Sequence, residues 1–135
     1  NGGIILPELH YGRDSLVGVA LFLTHLAHQK MKASELKATY PKYFMAKEKA
    51  QLTADMDVDA LLKKVALMHA GETMSTVDGL KIDFDDAWVH MRKSNTEPIV
   101  RIYTEAGSQA EADALAAQFV KQLEASSLSD STLTP

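Results

Sequence analysis

The sequence contains no cysteine, no apolar run of membrane-spanning length and no excess of basic residues. The lack of cysteine excludes disulfide bonds and cysteine catalysis and fits a reducing compartment, so we expect a cytoplasmic protein. Because 14 Lys and Arg side chains are outnumbered by 18 Asp and Glu side chains, a general nucleic-acid surface is not expected. The short apolar runs predict no membrane partner, and the first residues lack the basic segment of a secretory signal.

What the sequence does contain suits one domain or pieces of two, because it has 135 residues, of which 46% are hydrophobic. Apolar side chains cover nearly every face of residues 14–30, which predicts a helix, capped by Asp14 or Ser15, that is buried on all sides. The residues before it, where "GIILPE" is typical of a strand end, are too few to bury it. The opening "NGGIILPELHYGRD" is typical of the middle of a longer chain. We therefore expect residues 1–41 to be the helical tail of an α/β domain.

The remaining residues predict a separate α+β domain over 42–126, followed by a flexible tail over 127–135. Its fold is expected to be an antiparallel sheet packed on one face by two helices. Ser108 is expected to cap the second helix, residues 109–125. The first helix is predicted from apolar side chains at helical spacing and from a glycine just beyond them: Val58, Leu61, Leu62, Val65, Met68 and Gly71.

The strands of this domain are predicted from short apolar alternations between turn residues. The Asp78-Gly79 pair is a strong signal for a hairpin between two of them. The predicted strands cover residues 43–50, 73–77, 80–84, 87–91 and 98–106.

A polar loop between the last two strands carries the most informative pattern, "RKSNTEP" followed by Arg101. Because side chains alternate along a strand, Arg92 and Arg101 are both expected on the face opposite the aliphatic residues, near each other at the mouth of the loop. Two neighbouring cations repel each other unless an anion joins them, and guanidinium groups suit phosphate or carboxylate oxygens. The loop adds the side chains of Ser94, Asn95 and Thr96 and its own N–H groups, which predicts an anion-binding turn.

The residues alone leave a second interpretation of this loop open. Arg92 could pair with Glu97 or Glu105, and the Ser-Asn-Thr run could simply form a tight turn. In that case the loop would have no ligand.

The loop sequence resembles the C-terminal phosphate-binding loop of the α-D-phosphohexomutases, the family of phosphoglucomutase, phosphomannomutase and phosphoglucosamine mutase. The N-terminal "NGG" and "GRD" are similar to the family's third domain just after its sugar-recognition loop. The resemblance extends over the whole chain up to the tail. It implies that residues 1–41 end the third, sugar-recognition domain and that residues 42–126 form the fourth, phosphate-binding domain.

The resemblance also implies a function. The family shifts a phosphoryl group reversibly between C1 and C6 of a hexose phosphate, with a phosphoserine in its first domain and Mg²⁺ in its second. By resemblance, the phosphate that is not reacting is bound by Arg92, Ser94, Asn95, Thr96 and Arg101, and the sugar loop includes Asn1 and Gly2. The partners are then the hexose phosphate, derived from glucose, mannose or glucosamine, and the upstream domains. No catalytic residue or metal ligand is expected within this chain, so these residues alone should be inactive.

Two other functions remain open from the sequence. The first is a non-catalytic α+β module that binds a phosphorylated ligand or a protein partner. The second is a mainly structural chain in which helix 14–30 pairs with a partner, for example as a homodimer. Phosphate affinity that depends on Arg92 would distinguish the first function from the second.

Some further polar residues have simpler interpretations than a site. Asp55, Asp57 and Asp59 resemble a metal-binding loop, but they suit the N-terminus of the helix that follows. His25 and His28 are spaced to share a metal ion but have no evident third ligand.

Three more residues lie close to the features described above. His10 and Arg13 could line a sugar cleft, although turn geometry and helix capping explain them more simply. Trp88 shares a strand face with Arg92, which packing alone explains.

Overall fold

A computed structural model describes residues 3–52 and 56–130. The chain divides into two compact units, residues 1–41 and residues 42–135. None of the helices in the described residues is long and apolar enough to cross a membrane.

The first unit contains two helices, α1 (Ser15–Gln29) and α2 (Ala33–Ala38). Asp14 caps α1, because its carboxylate accepts hydrogen bonds from the N–H groups of Leu16 and Val17. The helix ends where Lys30 adopts a left-handed conformation with φ of 51°.

Helix α1 carries apolar side chains that the neighbouring residues of the first unit do not cover. None of its residues is buried, and Leu16 is 78% exposed. Hydrophobic periodicity identifies side chains that need cover but not what provides it. The strand end expected at "GIILPE" is also absent among the described residues there, which form one isolated bridge between Leu6 and His10.

The second unit is a five-stranded antiparallel sheet with the strand order β1-β5-β4-β3-β2. The sheet and the two helices of this unit confirm the predicted α+β class. The strands are β1 (Phe44–Gln51), β2 (Thr73–Ser75), β3 (Leu80–Asp83), β4 (Trp88–Lys93) and β5 (Ile99–Ala106), and the helices are α3 (Val58–Met68) and α4 (Gln109–Asp130).

The core lies between one face of the sheet and the two helices. Alternate residues of the central strands, such as Met91 and Ile102, are completely buried against Phe119 of α4. Burying these side chains supplies the main favourable free energy of folding for this unit. The cluster of buried residues comprises Ala50, Leu52, Val58, Leu61, Leu62, Val65, Leu80, Ile82, Val89, Met91, Val100, Ile102, Phe119 and Leu123. The opposite face of the sheet, which we call the open face, carries the side chains of the other parity.

The helix ends correct three details of the expectation. Met68 is 54% exposed, so it does not belong to the core. Helix α3 is followed by His69, and Gly71 has no positive φ, so Gly71 does not terminate the helix as a left-handed residue. The loose tail expected from residue 127 is helical over 127–130, because α4 runs to Asp130 from a cap in which Ser108 Oγ accepts the N–H of Glu111 at 3.2 Å.

Candidate functional site

The two arginines singled out by the sequence face each other directly across the sheet. Arg92 on β4 is the register partner of Arg101 on β5. Their neighbours Met91 and Val100 are completely buried against the helices, so alternation places both guanidinium groups on the open face. Directly opposed residues have Cβ atoms about 4.5–5.5 Å apart, and like charges in that arrangement repel each other. The register therefore places two guanidinium groups side by side at one end of the sheet.

Each arginine has one carboxylate near it. Arg92 Nε lies 3.3 Å from Asp78 Oδ1, and Arg101 Nη2 lies 3.9 Å from Glu97 Oε2. All four side chains are about half exposed, so each of these ion pairs contributes about 1 kcal/mol or less. Such contacts are weak enough for a stronger anion to displace them.

These contacts differ from the ligand-free interpretation of the loop. Arg92 was there expected to pair with Glu97 or Glu105, but it pairs with Asp78. Glu97 instead lies near Arg101. Glu105 accepts a hydrogen bond from the indole N–H of Trp88 at 3.1 Å.

The loop between β4 and β5 places further donors beside the arginines. Ser94 closes the strand pair, because its N–H donates to the carbonyl of Ile99 at 3.0 Å. The Ser94 hydroxyl is buried in the loop, 3.5 Å from both the hydroxyl and the N–H of Thr96. Within the described part of the chain, the N–H groups of Asn95 and Glu97 have no protein acceptor. N–H groups without a protein acceptor, in a turn beside two guanidinium groups, are suited to hold an anion.

The Asp78-Gly79 turn holds the edge of this site in place. Gly79 has φ of 79°, and a Cβ at this position would lie 2.2 Å from the Met91 carbonyl oxygen. His90 Nε2 donates to the Asp78 carbonyl at 2.6 Å, which fixes the turn on β4. The hairpin signal in the sequence therefore also explains why the Asp78 carboxylate lies beside Arg92.

A cleft elsewhere in the second unit has the opposite charge. It has a volume of about 1090 Å³ and lies where β4 begins and β5 ends, beside Trp88 and Glu105. Six carboxylates line it, and no Lys or Arg is among its described lining residues. An acidic cleft repels phosphate, whereas the arginine end of the sheet attracts anions.

The polar residues near the start of α1 form a capping arrangement. Asp14 caps the helix, and His10 contacts the same carboxylate at 3.1 Å. The Val17 N–H and then the His10 side chain hold the pKa of Asp14 below its ordinary value. His10 also accepts the N–H of Gly12 at 3.0 Å. These contacts support the capping interpretation of His10, while for Arg13 a role toward a sugar stays a prediction.

The other polar candidates do not form a metal site in the described residues. Asp57 caps α3 by accepting the N–H groups of Asp59 and Ala60, and Asp55 lies outside the described residues. His25 and His28 are both exposed on α1. Across residues 3–52 and 56–130, no three His, Asp or Glu side chains are grouped as metal ligands.

Sequence comparison decides the family. The family model for the C-terminal domain of phosphoglucomutase/phosphomannomutase matches residues 43–122. The chain belongs to the phosphoglucomutase/phosphomannomutase family. A phosphoglucomutase/phosphomannomutase of Thermococcus kodakarensis is 41% identical over 114 residues, which are 83% of this chain and 25% of the relative. A phosphoglucosamine/phosphogalactosamine mutase of Sulfurisphaera tokodaii is 36% identical over 126 residues, or 92% of this chain and 28% of the relative. The chain thus spans about a quarter of the length of these mutases.

Solved structures support the same family fold. A phosphoglucomutase/phosphomannomutase family protein of Burkholderia thailandensis is 27% identical with a TM-score of 0.51, over 69% of this chain and 20% of that one. The N-acetylphosphoglucosamine mutase of Aspergillus fumigatus, solved with GlcNAc-6P and magnesium, is 21% identical with a TM-score of 0.53, over 87% of this chain and 22% of that one. The second likeness concerns the fold alone.

The structure thus brings together all five residues that the resemblance assigned to the phosphate: Arg92, Ser94, Asn95, Thr96 and Arg101 lie on one loop and its two strands. Asn1 and Gly2, assigned to the sugar, lie outside the described residues. Sequence reasoning missed Asp78 as the partner of Arg92. Its only sequence signal was the adjacent glycine, which predicted a turn but not the strand against which that turn packs.

Proposed function

We propose that the β4–β5 loop, with Arg92 and Arg101, binds the phosphate group of a hexose phosphate. The observation that carries the proposal is the direct register of these two arginines beside a loop with two N–H groups that have no acceptor in the described part of the chain. Two guanidinium groups and several N–H groups recognise phosphate charge and tetrahedral geometry without reading the sugar. Ser94 and Thr96 add hydroxyls, and Asn95 adds an amide.

We further propose that the chain acts as part of a phosphohexomutase. Such an isomerase presents first one end and then the other end of the sugar to a single phosphoserine. A site that reads phosphate rather than sugar can hold either end, so it permits both orientations of the bisphosphorylated intermediate. Closure of this domain over the substrate would also exclude water from the reacting phosphoryl group. The match to relatives four times as long supports placing the phosphoserine and the Mg²⁺ outside these residues.

The domain assignment follows from the same proposal. Residues 1–41 would end the third, sugar-recognition domain, with Asn1 and Gly2 in its sugar loop, and residues 42–126 would be the fourth. In a family-length protein the exposed apolar side chains of α1 would be covered by the upstream part of the third domain. A homodimer through helix 14–30 is the alternative cover, and sedimentation of the 135-residue chain distinguishes monomer from dimer. The cytoplasmic location stays a prediction.

The test is a titration of the chain with glucose 6-phosphate and with inorganic phosphate, followed by amide shifts in NMR. We expect shifts centred on residues 92–101 and a loss of affinity of about tenfold or more in Arg92→Ala, because a hydrogen bond to a charged group contributes about 1.5–3 kcal/mol. Arg92→Lys keeps the positive charge but loses the planar guanidinium group that binds two oxygens at once. Its affinity should therefore lie between that of the wild-type chain and that of Arg92→Ala.

The matched control is Lys121→Ala, which removes one exposed cation from α4, on the helix side of the sheet. It should leave both the shifts and the affinity unchanged. Shifts spread over the whole surface, or an equal loss in Arg92→Ala and Lys121→Ala, would show unspecific attraction and contradict the proposal. A mutase assay of the 135-residue chain should show no turnover.

A further inference from the structure

A third cation continues the arginine pair across the sheet. Lys49 on β1 is the register partner of Arg101, which is in turn the register partner of Arg92. Ala50, the next residue on β1, is completely buried, so alternation places Lys49 on the open face with the two arginines. These residues form one row across three neighbouring strands, with about 5 Å between adjacent Cβ atoms. We call it the cation row.

The members of the cation row differ in their neighbours. Arg92 and Arg101 each have one carboxylate beside them, at 3.3 and 3.9 Å. Among the described residues, no carboxylate lies within 4.0 Å of the Lys49 ammonium group. The two arginine–carboxylate pairs are close to neutral, so Lys49 supplies the net positive charge of the row.

Strand β1 also brings Lys49 close to the loop. Its last residue, Gln51, is the register partner of Ile99, and the N–H of Leu52 donates to the carbonyl of Pro98 at 3.0 Å. Lys49 is therefore two residues from the strand end that borders the loop. Its flexible four-carbon stem lets the ammonium group approach an anion held over Arg101.

We propose that Lys49 is a phosphate-binding residue that makes the site prefer a doubly charged phosphate ester over a singly charged anion. This inference rests on the proposed function, because it concerns the same site. Neither composition nor loop motif identifies Lys49, since only the β1–β5 register brings it to Arg101. A phosphate monoester carries a charge of about −1.5 to −2 at neutral pH, so one additional free cation stabilises it more than it stabilises a monoanion.

The chain offers a closely matched control in Lys47. Lys47 is on the same strand and the same face as Lys49 and is likewise exposed, but its register partner is Tyr103. Lys47→Gln and Lys49→Gln remove the same charge and alter the sheet edge equally. Only Lys49→Gln removes a member of the cation row.

The experiment compares glucose 6-phosphate with glucose 6-sulfate, which has similar shape but only one negative charge. Affinities of the 135-residue chain and its variants are measured by NMR titration at about pH 8, where the phosphate is a dianion. Lys49→Gln should weaken binding of the phosphate about three- to tenfold and binding of the sulfate about two- to threefold, because the Coulomb energy scales with ligand charge. Lys47→Gln should change either affinity less than about twofold, because Lys47 lies farther from the bound anion and salt screens its charge over that distance.

The outcomes separate this inference from the proposed function. If the wild-type chain binds glucose 6-phosphate and Arg92→Ala does not, the proposed function stands. Equal effects of Lys49→Gln and Lys47→Gln would then overturn the role of Lys49 alone, as would equal losses for phosphate and sulfate. If the wild-type chain fails to bind, or Arg92→Ala binds as well as wild type, both proposals fall.

Discussion

The two faces of the sheet in the second unit differ sharply although they share the same strands. Met91 on β4 is completely buried against the helices, whereas the side chain of its neighbour Arg92 is 51% exposed and faces an arginine. The helix-covered face is apolar and closely packed. The open face carries the cation row at one end and the Trp88–Glu105 pair at the other.

This difference shows that one register sets both stability and charge. Pairing β4 with β5 so that Met91 opposes Ile102 places two core side chains together. The same pairing forces Arg92 to oppose Arg101, where repulsion opposes folding. Because side chains alternate with a period of two, a shift of this register by one residue would move the core side chains of one strand to the open face. Substitutions on the covered face should therefore alter stability, and those on the open face should alter binding.

Among substitutions that test the difference between the two faces, Met91→Ala is expected to have the largest effect, a loss of stability. Removing a completely buried side chain leaves a cavity between the sheet and α4, and such changes cost about 2–5 kcal/mol of unfolding free energy. Urea unfolding followed by circular dichroism measures the loss. Arg92→Ala, one residue away, should change the unfolding free energy by less than about 1 kcal/mol. Similar losses of unfolding free energy in the two variants would refute the inference that the covered face determines stability and the open face determines binding.

A smaller effect that reaches both faces is expected from Gly79→Ala. Its Cβ would meet the Met91 carbonyl oxygen, and alanine disfavours a φ of 79°, so we expect a loss of about 1–3 kcal/mol. Relief of the contact should also move the turn away from Arg92 and change the amide shifts of residues 92–94. Gly71→Ala is the control, because no described atom lies within 4 Å of its added Cβ and its φ is not positive. That variant should be neutral or slightly stabilising in the same unfolding experiment.

Local pattern was enough to predict the most important part of the site. Strand alternation alone placed Arg92 and Arg101 on one face, and the structure confirms that they are direct neighbours. The fold class also followed from local signals, since caps, apolar spacing and one turn dipeptide define most of the helices and strands. The Ser108 cap is an example, because a hydroxyl just before an apolar periodicity directly satisfies the first free N–H groups of a helix.

The features that sequence reasoning missed depend on distant contacts. Lys49 joins the arginines only through the register of β1, whose residues precede β5 by about fifty positions. Asp78 reaches Arg92 because its turn packs on β4. Helix α4 passes the expected end at residue 125 because no glycine or proline stops it before Asp130.

The smallest expected effect concerns the carboxylate that competes with the ligand for Arg101. Glu97→Gln removes the charge 3.9 Å from Arg101 Nη2 while keeping the size of the side chain. Since an exposed ion pair contributes up to about 1 kcal/mol, its loss should raise the affinity for glucose 6-phosphate about two- to fivefold. The same NMR titration measures the gain, which should shrink as salt is added because both charges are exposed.

Glu105→Gln is the matched control, because it removes the same charge from β5 at the far end of the strand, where Glu105 accepts a hydrogen bond from Trp88. It should leave the affinity unchanged. An unchanged affinity in Glu97→Gln would show that Glu97 does not compete for Arg101. A decrease would give Glu97 the opposite role, that of holding Arg101 in position for the ligand. The direction of this small change in affinity therefore shows whether Glu97 competes with the ligand for Arg101 or holds Arg101 in position for it.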